Sequence, residues 1–280
     1  MLRPLLKGKI TGVKNLKARY RYSVILLRQL VKTDFKLRYQ GSVLGYAWSL
    51  LRPLLLFAIL YVVFVRFLKI GGDIPHFPVY LLLGIVIWNF FAEMTMQSLG
   101  SIVGRGDLIR KLNIPRWVIV LSSSISALIN LILNLLVVII FLLINNVDLL
   151  KTSLFLPLIL AQVYVFALGV SLFLAAAYVK YRDVNYIWEV ILQAGFYLTP
   201  ILYPIAIISN QTLQKIIFLN PVAQSIQDAR YAAITHQTVT ISQVFGGSVL
   251  KFAPYFLSIM VLIAGYAYFK RQSKSFAENI

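Results

Sequence analysis

The chain has 280 residues, 60% of them hydrophobic and 13% charged, whereas soluble domains run at about half apolar and about a quarter charged. A water-soluble globular domain is therefore excluded. Its 27 Lys and Arg against 9 Asp and Glu leave a net charge of +18, so a chain suited to hydrocarbon also needs an anionic neighbour: a membrane face, an acidic protein or nucleic acid.

In chain order, residues 1–15 are a scattered basic stretch with no apolar core, so no cleavable signal peptide is expected there. Residues 16–38 read as a cationic amphipathic helix lying in the inner membrane interface. Tyr20, Val24, Leu27, Val31 and Phe35 recur at helical spacing, as do Arg21, Arg28, Lys32 and Lys36 on another side. Such a helix is a surface anchor, and it could also form a cytoplasmic docking surface or gate. No nucleic-acid-binding module accompanies the charge.

Spanning a bilayer takes about 20 apolar residues, and six segments come close: about 43–67, 79–99, 117–147, 153–179, 186–198 and 252–269. The fifth is interrupted by Thr199-Pro200 and Tyr203-Pro204. Placing the N-terminus inside puts 20 basic residues on the cytoplasmic side, 11 of them before the first span, and six outside: Arg66, Lys69, Lys151, Lys215, Arg230 and Lys251. Both termini are expected to be cytoplasmic. The fold class that follows is an all-α integral membrane protein with six transmembrane helices, an interface helix, and short re-entrant helices between spans five and six. Its divisions are a basic extension and interface helix (1–42), a six-span domain (43–270) and a cytoplasmic tail (271–280).

The loop at about 100–117 is dense. Leu108, Ile109, Leu112 and Ile114 interleave with Arg110, Lys111, Asn113 and Arg116, and Pro115 ends any helix there. It could offer apolar knobs and charge to a cytoplasmic partner, or be a positive-inside anchor. The stretch 199–251 is too apolar for a free loop and too broken to span, which suits re-entrant pieces.

Arg52, Glu93 and Glu189 fall roughly six residues, or ~9 Å, inside the membrane. Either Arg52 neutralises a glutamate or all three snorkel to the headgroups. Phe57 and Tyr61, Trp88 and Phe91, and Gln193, Phe196 and Tyr197 form stripes at helical spacing, which fit packing or a passage lined for sugars. Ser123, Ser126, Asn130 and Asn134 read as helix contacts.

The chain has no cysteine, and His76 and His236 stand apart, so no metal site is expected. A phosphate-binding G-x-x-x-x-G-K-[ST] loop, a G-x-S-x-G elbow and an H-E-x-x-H helix are all absent from the sequence. Neither ATP hydrolysis nor other catalysis is expected of this chain.

The run Asp34-Phe-Lys-Leu-Arg-Tyr-Gln-Gly-Ser-Val-Leu-Gly-Tyr-Ala-Trp48 with Pro53 resembles the opening of ABC-2-type permeases that export polysaccharides. The likeness continues through Tyr181-Arg-Asp-Val184, Leu198-Thr-Pro-Ile-Leu-Tyr-Pro204 and Asn220-Pro221, in the family's order, from about residue 20 to the end. It implies a homodimer with two copies of a separate ATPase that binds ATP and Mg, moving a lipid-linked O-antigen, teichoic acid or capsule chain across the cell membrane. It also implies an interface helix containing Tyr20, Arg28, Lys32, Asp34, Phe35, Lys36, Arg38 and Tyr39, a coupling helix within Leu108–Arg116, and outer gate helices within 200–234. Trp48 would join the aromatic stripes along a passage. A membrane-embedded enzyme acting on lipid-linked sugars would need clustered acids and histidines, which are scarce here. An ion-coupled flippase would need deeper acids than Glu93 and Glu189.

Overall fold

A computed structural model describes residues 23–34, 36, 42, 44–69, 74–111, 115–148 and 151–276. Among them there are helices and turns and no strand. Tyr20, Phe35, Arg38, Tyr39, Leu112, Asn113 and Ile114 lie outside the described residues, as does the side chain of Lys111.

Helix α1 (residues 23–34) turns Leu26 and Leu30 into a cluster with Ile102, Ile109, Ile119, Val179, Phe269 and Phe276. Arg28, Lys32 and Lys36 stay exposed. The apolar stripe is rotated from the expected one: Val24 is exposed, because Leu26 and Leu30 reach the cluster and Asp34 bonds Arg105 from the same side.

Helix α2 (Trp48–Leu60) widens into a π-helical turn over Tyr61–Phe67. Its lateral position leaves Phe57 as the one buried residue of the helix. Helix α3 (Phe77–Ser101) is the central column, packed by α2 and by helices α5, α6, α7 and α9 defined below. It starts with Pro78 in the first turn, where a missing N–H costs nothing. A short α4 (Gly106–Lys111) precedes α5 (Trp117–Ile144). Exposed Ile132, Leu136, Ile139, Ile140 and Leu143 form a long apolar stripe on α5, of the kind that faces lipid or another subunit.

Helix α6 (Leu156–Lys180) and the last helix, α11 (Ala253–Gln272), cross almost backbone to backbone. A Cβ on Gly265 would lie 2.1 Å from the carbonyl oxygen of Gly169, and one on Gly169 would lie 2.6 Å from Leu262 Cα. Small residues at such crossings let dispersion contacts replace the hydrophobic drive that lipid removes.

Among the described residues, five helical stretches are long and apolar enough to cross a membrane: Trp48–Phe67, Phe77–Ser101, Trp117–Ile144, Lys151–Lys180 and Val249–Ser275. The expected fifth span is α7 (Val184–Leu198), a helix of 15 residues, or about 22 Å. Pro200 disfavours helical geometry at Thr199, whose backbone is extended, and stops it there.

Beyond α7 come α8 (Gln211–Leu219), α9 (Pro221–Ala233) and α10 (Ile241–Phe245). Each carries its own start signal. Asn210 Oδ1 accepts from Thr212 N and Leu213 N, Asn220 Oδ1 accepts from Val222 N ahead of Pro221 at the first turn, and Thr240 and Gln243 form a reciprocal cap. At 9, 13 and 5 residues all three are too short to span. They gather at the end of the molecule opposite α1 and α4.

Candidate coupling end, aromatic face and outer cap

At the α1 end, α4 is rooted in the chain's own core. Ile109 is buried and Leu108 half-buried in the cluster that holds Leu26, Leu30, Ile119 and Phe269. Among the described side chains of α4, Asp107 and Arg110 are exposed. Thus Ile109 packs inward rather than projecting as a knob. Arg105 donates to the Asp34 carboxylate, to Ser122 Oγ at 3.3 Å and to Ile119 O at 3.4 Å, while Arg116 donates to Ser273 O. Helix α1, the loop around α4 and the C-terminal segment are therefore joined at one end.

Along the middle, the aromatic stripes divide. Trp88 and Phe91 of α3 are buried: Phe91 stacks on Phe166 of α6 at 5.7 Å, and Trp88 meets Phe196 of α7 edge-on at 6.2 Å. Trp188 of α7 donates its indole N–H to Thr95 Oγ1 at 3.0 Å. A Cβ on Gly195 would sit 2.7 Å from Trp88 Cη2, so glycine is what lets α7 lie against that ring. Phe57 is buried against Phe141 of α5 at 5.5 Å. The opposite face of α7 is open, and it carries Tyr186, Val190, Gln193 and Tyr197, the last 62% exposed. Trp48 is exposed too, while Tyr61 and Phe196 are intermediate.

Of the two acids, Glu93 is solvated by amides. Glu93 Oε1 accepts from Gln97 Nε2 at 2.6 Å and from Asn130 Nδ2, and Asn134 reaches Ser49 O of α2 at 3.3 Å. These amides of α5 thus make the helix contacts their spacing implied. Arg52 and Glu189 are exposed.

At the far end, α9 is a polar helix buried on nearly all sides. Arg230 has 0% exposure. Its nitrogens donate to Tyr80 O at 3.0 Å, Pro200 O at 2.6 Å and Ile201 O at 2.7 Å, and its guanidinium lies over the Tyr80 ring. Gln227 completes the arrangement, accepting from Tyr80 Oη and donating to Pro200 O, both at 3.1 Å. A second chain runs from Gln162 of α6 through Gln224 to Asp228 and Tyr255. Burial pushes the Asp228 carboxyl up to about 6, against the hydrogen bonds from Gln224 and Tyr255.

Arg230 was counted among the outward loop charges, and its site role was missed. The available signal was Gln224, Gln227 and Arg230 recurring every third residue after an Asn-Pro helix start.

A polytopic α-helical membrane protein is defined by these features, with a charged end at α1 and α4, an open aromatic face and a capped far end. The chain matches the ABC-2 type transporter family over residues 25–234, and it belongs to that family. It is 30% identical over 258 residues to an O-antigen export system permease protein of Klebsiella pneumoniae, covering 92% of this chain and 95% of that one. A protein of the same description from Myxococcus xanthus is 27% identical over 266 residues, covering 93% and 97%. A further Klebsiella pneumoniae relative is 29% identical over 271 residues, covering 94% and 99%.

Proposed function

We propose that this chain is the membrane subunit of an ATP-driven exporter that carries a lipid-linked polysaccharide of the O-antigen kind out through the cytoplasmic membrane. It works as a homodimer with two copies of a separate ATPase that binds ATP and Mg, and both its termini are cytoplasmic. The observation that carries this reading is the end-to-end match to O-antigen export permeases, over more than nine tenths of this chain and of each relative.

The geometry supports a route for force. A partner seated against Asp107 and Arg110 pushes a helix whose inner side, through Leu108 and Ile109, packs on residues of α5, α6 and α11. Closure of ATP-bound partners thus favours one arrangement of the spanning helices over another. A sixth crossing is supported by α7 together with Thr199–Leu202. Trp188 lies beside Thr95, and the Pro200 and Ile201 carbonyls reach Arg230 beside Tyr80, near the opposite end of α3. The open face of α7 offers Gln193 and Tyr197 to a glycan, amide and phenol for hydroxyls and rings for apolar sugar faces.

Purification of the tagged chain from its native membrane tests the reading. A stable complex with an ATPase of about 25–45 kDa, and polysaccharide export that stops when ATP hydrolysis is blocked, are the expected results. A lone chain that turns over lipid-linked sugar, or export that follows the proton gradient and ignores ATP, would overturn it.

A further inference from the structure

Asp34 is the single acidic residue among the first 72, against 11 basic residues in positions 1–42. Arg28, Lys32 and Lys36 of that region face outward, yet Asp34 is on the side of α1 that carries Leu26 and Leu30. There its Oδ1 accepts from Arg105 Nη2, and its Oδ2 stands 3.4 Å from Ser122 Oγ, whose hydroxyl donates to Ile119 O at 2.8 Å. Arg105 in turn donates through Nη1 to Ser122 Oγ at 3.3 Å and Ile119 O at 3.4 Å. Three elements meet at one carboxylate: α1, the turn entering α4, and the first turns of α5. On the other side of α4, Arg116 is held by Ser273 O.

We propose that Asp34 is a positioning residue for energy coupling: it fixes Arg105 and Ser122 together, so that displacement of α4 is passed to α1 and α5 as one body. This rests on the reading of α4 as the ATPase contact. The physical need is clear from the size of α4. Six residues anchored by Ile109 and Leu108 would pivot under load unless both flanks are fixed. A planar guanidinium gripping a carboxylate, a hydroxyl and a carbonyl fixes direction as well as distance. The pair is only about a fifth exposed (19% and 23%), so salt screens it less than a surface pair.

The test uses the full chain with its ATPase in membranes, as D34N, D34E, D34R, R105D and the exchange D34R/R105D. Three quantities are read: ATPase co-purified, ATP hydrolysed, and polysaccharide exported per ATP. In D34R and R105D, co-purified ATPase and hydrolysis should stay within about twofold of the unmodified chain, while export per ATP falls about tenfold, the scale of one lost charge-assisted hydrogen bond. D34E should keep most of the ratio, and the exchange should recover several-fold over either single variant, since the pair and not the residue is required. Where reversal lowers membrane levels, D34N at unmodified levels carries the decision. An unchanged export per ATP in D34N, or an exchange no better than the singles, overturns the proposal while leaving the proposed function standing. An unmodified chain that binds no ATPase overturns both.

Discussion

The guanidinium carbon of Arg230 lies 3.7 Å from the centre of the Tyr80 ring, while its Nε donates to the Tyr80 carbonyl oxygen at 3.0 Å. One residue of α3 thus offers two electron-rich surfaces to a cation that has no exposure to solvent. Burying a charge without such partners costs several kcal/mol. Here three carbonyls and a ring face take the place of water, and Gly84 leaves the room: a Cβ there would stand 2.4 Å from Arg230 Nη2.

Arg230→Met should therefore destabilise the detergent-solubilised protein by about 3–5 kcal/mol, since three buried carbonyls each lose the donor that Arg230 supplies, and Gln227 still serves that of Pro200. Gly84→Ala should reproduce much of the loss, because the guanidinium is held from the other side and cannot retreat. Thermal unfolding monitored by intrinsic fluorescence reads both, and an Arg230→Met variant melting with the unmodified protein would show that the contacts carry no net stability.

Gly265→Ala should be costly at a site where alanine is otherwise the better helix former. Its methyl group would meet Gly169 O at 2.1 Å, so α6 and α11 must separate, at about 1–3 kcal/mol. Gly247, where a Cβ meets nothing within 4 Å, serves as the control. Unfolding temperatures of the two alanine variants, measured side by side, should diverge.

Stability should depend on pH through Asp228. Its carboxyl is raised from 3.8 to about 6 by burial, so the folded chain disfavours the charged form. The favourable state is fully present below about pH 4 and is lost as pH rises through about 6, a change of up to about 3 kcal/mol for a shift of two units. Asp228→Asn should flatten the unfolding temperature between pH 4.5 and 7.5 and raise it above pH 6. A parallel slope in the variant would assign the dependence to another group.

Structural and passage roles of the aromatics should separate by substitution. Trp88→Ala empties a buried ring site and should cost about 3–5 kcal/mol, lowering export and membrane level together. Tyr197→Ala and Gln193→Ala, on the open face of α7, should leave unfolding unchanged and lower export alone. Equal export by the Tyr197→Ala and unmodified proteins would remove that face from the passage.

Which runs would cross a bilayer was readable because charge-free stretches of 20 or more residues have few other uses. The stop at Thr199-Pro200 was readable too: α7 ends at Leu198, where the sequence places the break, and has 15 residues. The short far-end helices were foreshadowed by Asn210 and Asn220-Pro221, whose capping chemistry is local. What could not be read was direction around a helix axis. Trp88 and Tyr197 obey the same spacing, yet Gly195 and Phe196 receive the first ring, while the second, edge-on to Phe196 at 5.4 Å, stays 62% exposed. Val24 and Leu26 likewise differ only by which one meets Ile119 and Phe276. Arg230 looked like a loop charge because its acceptors lie about 30 and 150 positions away.

Helix α3 is enclosed by five neighbours, one of which, α6, is itself welded to α11 at Gly169 and Gly265, so no part of α3 can shift without opening several interfaces at once. It acts as a stator. Any working stroke is cheapest in α2 and α7, each of which touches the bundle along one flank and has a free outer side. A machine arranged in this way keeps its axle still and moves its shutters, and in these two helices only Phe57 and Leu192 are buried.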